Sequence, residues 1–351
     1  MKKKILFSGL ILCLALGFLA TTSAGAKVKI RLAHVDQPGR FDSCMGAQSN
    51  TFKDLVESMS GGEIEVTIYP AGQLGNMREM VESTQMGSTQ IVHCFTSVAT
   101  IFSPALMAVQ IPFIFPTAAY AWHALDGWWG KELADKFLKD TGLRVISWGE
   151  GFGFRVIWNN KRPIKTPADL KGLKIRVPES KGLLALFRAL GASPVTITWT
   201  ELYTAMQTKT VDGCEPELGG GIQIKLEETT KYITMTNHAY NIHGMFINEK
   251  WFQQQTPEHK KIIVEAARIA TIASRGMSQN FTGHALSKCL AKGIQFYNPT
   301  PQELEEFAKI GQPAYLEVVK KEAGQEWIDK TLKAAAEAKK ALGDDLARII
   351  K

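Results

Sequence analysis

Two arginines stand where arginines are rare. Arg176 lies in the run Lys174-Ile175-Arg176-Val177-Pro178, at the end of a segment that reads as a buried strand. Arg155 sits among Phe152, Phe154, Val156, Ile157 and Trp158. A guanidinium in an apolar strand must be paired or must meet a ligand, unless the strand turns a solvated face outwards. Ligands of open α/β sheets bind at the carboxyl ends of strands, and Arg176 is at such an end. Its planar fork suits a carboxylate bidentately.

Residues for bond-making chemistry are missing. There is no G-x-S-x-G elbow, no H-E-x-x-H pair and no Walker loop. Gly149-Glu150-Gly151-Phe152-Gly153 lacks a third spaced glycine and leads into a strand-like segment, whereas a phosphate cradle opens a helix. Gly219-Gly220-Gly221 reads as a turn or hinge. The seven histidines show no metal spacing, with His93-Cys94 and the pair His238 and His243 the nearest approaches. No cofactor and no metal are expected.

The elements that must position the arginines are legible from periodicity. Val28 to Ala33 alternates as a strand, and so does Ile64 to Ile68, closed by Pro70. Between them Phe52, Leu55, Val56 and Met59 recur at helical spacing, ended by Gly61-Gly62. Asn76 caps a helix that Gly87 stops, and Ile91 to Phe95 is a third strand. The rhythm returns after an irregular aromatic stretch. Thr166-Pro167-Ala168-Asp169 starts a helical turn, Leu173 to Val177 is a strand, and Leu183 to Leu190 is a helix. Thr198 and Glu201 suggest a capping box before Leu202 to Met206. This alternation predicts an α/β architecture with mostly parallel sheets. From Pro257 towards Lys292 a helical pattern runs without an internal proline, long enough to exceed one small domain, with Gly276 and Gly283 as places to bend.

Composition narrows the class further. About 45% of the 351 residues are hydrophobic and 21% charged, which suits a globular protein of two domains. Lys2 to Lys4, the apolar run Ile5 to Ala20 and Ala24-Gly25-Ala26 form a secretory leader, with cleavage expected near Ala26. No later segment is apolar enough to span a membrane, so no direct membrane insertion is expected. The net charge of +7 falls to +4 without the leader. The charges are interspersed, so no nucleic-acid partner is expected. Cys44, Cys94, Cys214 and Cys289 remain; free buried thiols are expected, since a core of this size needs no staple.

Ordered along the chain, several runs resemble one family. They are Tyr69-Pro70-Ala71-Gly72-Gln73-Leu74-Gly75, the stretch Asp169 to Pro178, Leu190-Gly191-Ala192, the stretch Glu201 to Thr208, and Val211-Asp212-Gly213-Cys214-Glu215. Together they are similar to the DctP-type solute-binding proteins of tripartite ATP-independent periplasmic (TRAP) transporters. The resemblance implies an α/β, two-lobed periplasmic binding protein fold with a long helix spanning both lobes. It places lobe I at 27–152, with 242–281 returning to it, and lobe II at 153–241, with 282–351 returning to it. It implies a monomeric periplasmic subunit, not an enzyme. That subunit captures a small organic carboxylate, with aromatic or amino-acid-like acids as the finer expectation, and delivers it to permease subunits driven by an ion gradient. An exported α/β hydrolase and a ligand sensor for a membrane receptor are the alternatives.

By resemblance Arg176 pairs with the ligand carboxylate and Arg155 supports it. His34 falls near a cleft-facing position of the first strand. Phe95, Thr96 and Trp199 fall at wall positions, and Glu215 belongs to the Asp-Gly-x-Glu run. Many relatives carry Asn after that Glu; here Pro216 stands there, followed by Glu217. The polar end therefore differs, and the ligand is not expected to match that of sialate or dicarboxylate binders. Glu217 either meets a ligand amine or hydroxyl or is a solvated helix start.

Overall fold

The computed structural model describes residues 27–350; the leader expected at 1–26 lies outside the described residues. Two sheets organise the chain. The first contains Val28–Ala33 (β1), Ile64–Tyr69 (β2), Ile91–Phe95 (β3), Leu143–Phe154 (β4) and Tyr240–Asn248 (β10). The second contains Ile157–Asn159 (β5), Lys174–Val177 (β6), Ser193–Thr196 (β7), Gly213–Cys214 (β8), Tyr232–Thr234 (β9) and Gln295–Tyr297 (β11). The strand orders are β2-β1-β3-β10-β4 and β11-β9-β5-β8-β6-β7.

The local signals read above act as they should. Ile30, Leu32, Ile64 and Val66 are buried on one side of their alternating strands. Asn76 accepts from the Glu79 N–H while Glu79 reaches back to the Asn76 N–H, starting the helix Met77–Gln85. Thr198 and Glu201 form no such box: the Thr198 hydroxyl donates to the Glu201 carboxylate at 2.7 Å, and a short 3₁₀ turn precedes the helix Leu202–Gln207. The sheets are mixed rather than mostly parallel. β1 pairs in parallel with β2 and β3, but β10 runs antiparallel between β3 and β4, and β5 runs antiparallel to β8 and β9. The strands that reverse are those that cross between sheets, which arrive from the other side of the molecule.

The chain passes from β4 to β5 through Arg155 and Val156, and returns between β9 and β10. These crossings lie side by side. Arg155 N–H donates to Ala239 C=O, and His238 N–H to Arg155 C=O. Phe152 and Gly153, at the end of β4, both take positive φ, 63° and 86°. That is ordinary for glycine and costly for a buried aromatic residue.

A third connection is the helix Pro257–Ala291, 35 residues long and about 52 Å at 1.5 Å per residue. Its first half buries Ile262, Ile263, Ala266, Ala267 and Ala270 in a core shared with β1, β2 and the helix Cys44–Met59. Its second half buries Met277, Phe281, Ala285 and Cys289 in the larger core that runs through the second sheet. The helix Pro301–Glu322 packs on Lys181–Ala189, beside the second sheet. The last helix, Gln325–Ile350, packs instead on Ala118–Asp126 and Trp128–Thr141, beside the first.

Candidate functional site

Two small cavities, each of about 10 Å³, share Met77, Arg176, Pro178 and Trp199 as lining. They lie between the sheets. Met77 opens the helix after β2, Pro178 follows β6, and Trp199 follows β7. The first adds Val35, Asn76, Val98, Glu179, Thr198 and Thr200; the second adds Phe95, Ser97, Arg155, Glu217 and Asn241. Phe95 and Trp199 stand edge to face, with ring centroids 6.4 Å apart.

The two arginines are both buried but differ in their partners. Arg155 is saturated. Its Nε and Nη2 donate to both oxygens of Glu215 at 2.5 and 2.7 Å, and its Nη1 donates to Glu217 Oε1 at 2.8 Å. Glu215 Oε2 also meets His238 Nε2 at 3.2 Å, and His238 Nδ1 meets the Thr236 hydroxyl at 2.8 Å. Arg176 is 2% exposed. Its Nε donates to Ile197 C=O at 2.8 Å, and no carboxylate pairs with it among the described residues. The network thus fixes one guanidinium completely and leaves the fork of the other facing the cavities.

The electrostatics follow from these bonds. Burial works against the charge on Arg155, but Glu215 and Glu217 outweigh it and raise its pKa. Burial likewise opposes ionisation of Glu215, yet Arg155 and His238 hold its pKa below the usual carboxylate value. Glu217 receives only one guanidinium bond, and burial raises it to about 7 despite Arg155. Arg176 is pushed down to about 10 by burial, only partly offset by Glu215. An unpaired buried cation invites an anion: a ligand carboxylate would restore what burial removes.

Of the residues expected at the site, Arg155, Arg176, Trp199, Phe95 and Glu217 meet at the second cavity. Glu215 stands behind Arg155 and lines neither cavity. Thr96 donates to Ile242 C=O at 3.3 Å, and its neighbour Ser97 takes the lining position. His34 is fully buried beside His93, itself 5.0 Å between ring centroids from His243, and lines neither cavity. Glu217 is 2% exposed, which excludes a solvated helix start. Met77, Pro178, Ser97 and Asn241 were not anticipated. Pro178 adjoins Arg176 in the quoted run, and Met77 follows the helix cap; Asn241 had no local signal. Cys44, Cys94, Cys214 and Cys289 are buried free thiols, and the described residues hold no cluster fit for a metal ion.

Known proteins share this fold. Residues 39–322 match the family of bacterial extracellular solute-binding proteins, family 7. The sialic acid-binding periplasmic protein SiaP of Vibrio cholerae is 29% identical, over 85% of this chain and 92% of its own. The sugar acid binding protein DctPAm of Advenella mimigardefordensis, solved with galactonate, is 30% identical with a TM-score of 0.84, covering 89% of this chain and 99% of that one. A TRAP periplasmic solute-binding protein of Desulfovibrio salexigens, solved with orotic acid, is 27% identical with the same TM-score, covering 89% and 100%. Matched over most of its length, the two-lobed chain belongs to the bacterial extracellular solute-binding proteins of family 7, which are binding proteins and not enzymes.

Proposed function

We propose that the protein is the periplasmic binding subunit of a TRAP transporter, capturing a small organic carboxylate and handing it to membrane permease subunits. The observation that carries this reading is Arg176, a buried guanidinium at a cavity with no carboxylate among the described residues to pair with. The ligand carboxylate takes its fork, and Arg155, held by Glu215 and Glu217, keeps the surrounding network rigid. Phe95, Trp199 and Met77 offer an apolar wall, which favours an aromatic or amino-acid-like body over a polyol. The relatives that bind sialic acid, galactonate and orotic acid support an organic acid in general. The lobes meet at the crossings through 155–156 and 235–239, and the ligand closes one upon the other. The mature subunit begins after cleavage near Ala26 and works as a monomer.

Native mass spectrometry of the protein drawn from the periplasm tests this. An organic acid is expected to accompany the wild type and to be missing from Arg176→Ala. Retention of the same acid by the variant would remove Arg176 from the site.

A further inference from the structure

Glu217 lines the same cavity as Arg176. Its Oε1 accepts from Arg155, while Oε2 accepts no hydrogen bond from another described residue. The groups that face it come from every side. Arg155 lies on the first crossing, Arg176 on β6, Cys214 and Glu215 at β8, His238 on the second crossing and Asp36 after β1. Tyr315, from the helix Pro301–Glu322, stands near Arg155 and Glu215. Burial keeps Cys214, His238 and Tyr315 neutral by raising the first and last and lowering the second. Two guanidiniums therefore meet two carboxylates and cancel. Asp36, buried and held up to about 6, adds a negative charge whenever it ionises. A ligand carboxylate beside Arg176 leaves an excess negative charge among buried side chains, where like charges are weakly screened.

We propose that Glu217 sets the charge this cavity admits: one ligand carboxylate enters together with one positive charge, carried either as an ammonium on the ligand or as a proton taken up by Glu217. The proposal rests on the reading of Arg176 as the carboxylate's partner. The proton comes from solvent and returns there on release. Burial already brings Glu217 to about 7, so uptake near neutral pH needs little driving force. An acid with two ionised carboxylates brings a second negative charge and is turned away.

The test has two arms, both on the mature chain. Without ligand, infrared difference spectra between pH 8 and pH 6 are expected to show a carboxylic C=O band that is reduced in Glu217→Gln, where Glu150, also held up to about 7, supplies the remainder, and that is kept in Asp36→Asn. With ligand, calorimetry in buffers of differing ionisation heat compares three acids with one benzyl body. These are 3-phenylpropionate, phenylalanine and benzylmalonate. 3-Phenylpropionate is expected to take up about one proton at pH 8, with affinity falling about tenfold per pH unit above that. Phenylalanine takes up none, and benzylmalonate binds at least about 100-fold more weakly than 3-phenylpropionate. Glu217→Gln makes 3-phenylpropionate binding independent of pH. Binding of 3-phenylpropionate without proton uptake, or uptake that persists in Glu217→Gln, overturns the proposal. If Glu217→Gln fails to fold, the wild-type proton count decides alone. If none of the three acids binds, the apolar-bodied acid reading fails. The infrared arm still decides on Glu217, because a band that Glu217→Gln leaves undiminished overturns it.

Discussion

Replacing Arg176 by methionine is expected to weaken binding and strengthen the ligand-free fold at once. Met keeps the length of the side chain and drops its charge. In the ligand-free protein the guanidinium is held at a pKa of about 10 by burial, against an ordinary value of 12.5. At about 1.4 kcal/mol per unit, the charge costs the fold about 3 kcal/mol. Methionine removes that cost but leaves Ile197 C=O without the donor it has at 2.8 Å, a loss of about 1 kcal/mol. The balance is about 2 kcal/mol in favour of the variant, which raises Tm by roughly 3 °C in a chain of this size. The same change removes one partner of the ligand's charge pair, worth about 2–5 kcal/mol. Affinity should fall roughly 30-fold to several-thousand-fold. Thermal unfolding of ligand-free protein by circular dichroism gives the first quantity, and calorimetric titration with the co-purified acid gives the second. A variant that melts several degrees lower would mean that Arg176 is a structural cation with a partner in the fold. One that binds undiminished would mean that the carboxylate goes elsewhere.

Four further expectations follow from particular contacts. Trp199→Ala, which strips the apolar wall beside Phe95, should cost about 1.5–3 kcal/mol of binding, and unchanged calorimetry would take Trp199 out of the site. Gly221→Ala places a Cβ 2.3 Å from the Trp158 ring and should destabilise by about 1–3 kcal/mol through overpacking, read as a lower urea midpoint. His34 and His243 are buried and held down to about 4 and about 3. The unfolded imidazoles protonate near 6.5 while the folded ones do not, so each lowers stability by about 1.4 kcal/mol per pH unit below 6.5. Glu150 and Glu217, raised to about 7 by burial, act in the opposite sense, so the check is that His34→Gln loses less stability than wild type between pH 6.5 and 4.5. Saturation with the bound acid should lower the radius of gyration in small-angle scattering, since a ligand touching both lobes favours the closed state; an unchanged radius would mark a rigid binder.

Much of the scaffold was legible because its signals are short-range. The alternation of Ile64, Val66 and Ile68, the cap at Asn76 with Glu79, and the Thr166-Pro167-Ala168-Asp169 turn each depend on residues within one or two turns of chain, and each forms as read. The uncapped pattern after Pro257 was too long for one small domain, and the helix does join two cores. The run Lys174 to Pro178 put Arg176 at a strand end, which is where it lies.

What separates Arg176 from Arg155 was not legible in their local sequence. Both are arginines among apolar residues, and only the resemblance gave them different roles. Arg155 is neutralised because the fold brings Glu215 and Glu217 onto it from 60 and 62 residues away, while among the described residues no such partner reaches Arg176. In the same way His34 turns inward towards His93 and His243 through the pairing of β3 with β10. The final helix leaves the second sheet for the first because its apolar face fits Ala118–Asp126 there. Periodicity and caps depend on neighbours along the chain, so the sequence states them directly. Which buried charge is paired and which is left for a ligand depends on segments far apart in the chain, and only closure of the tertiary structure brings those together.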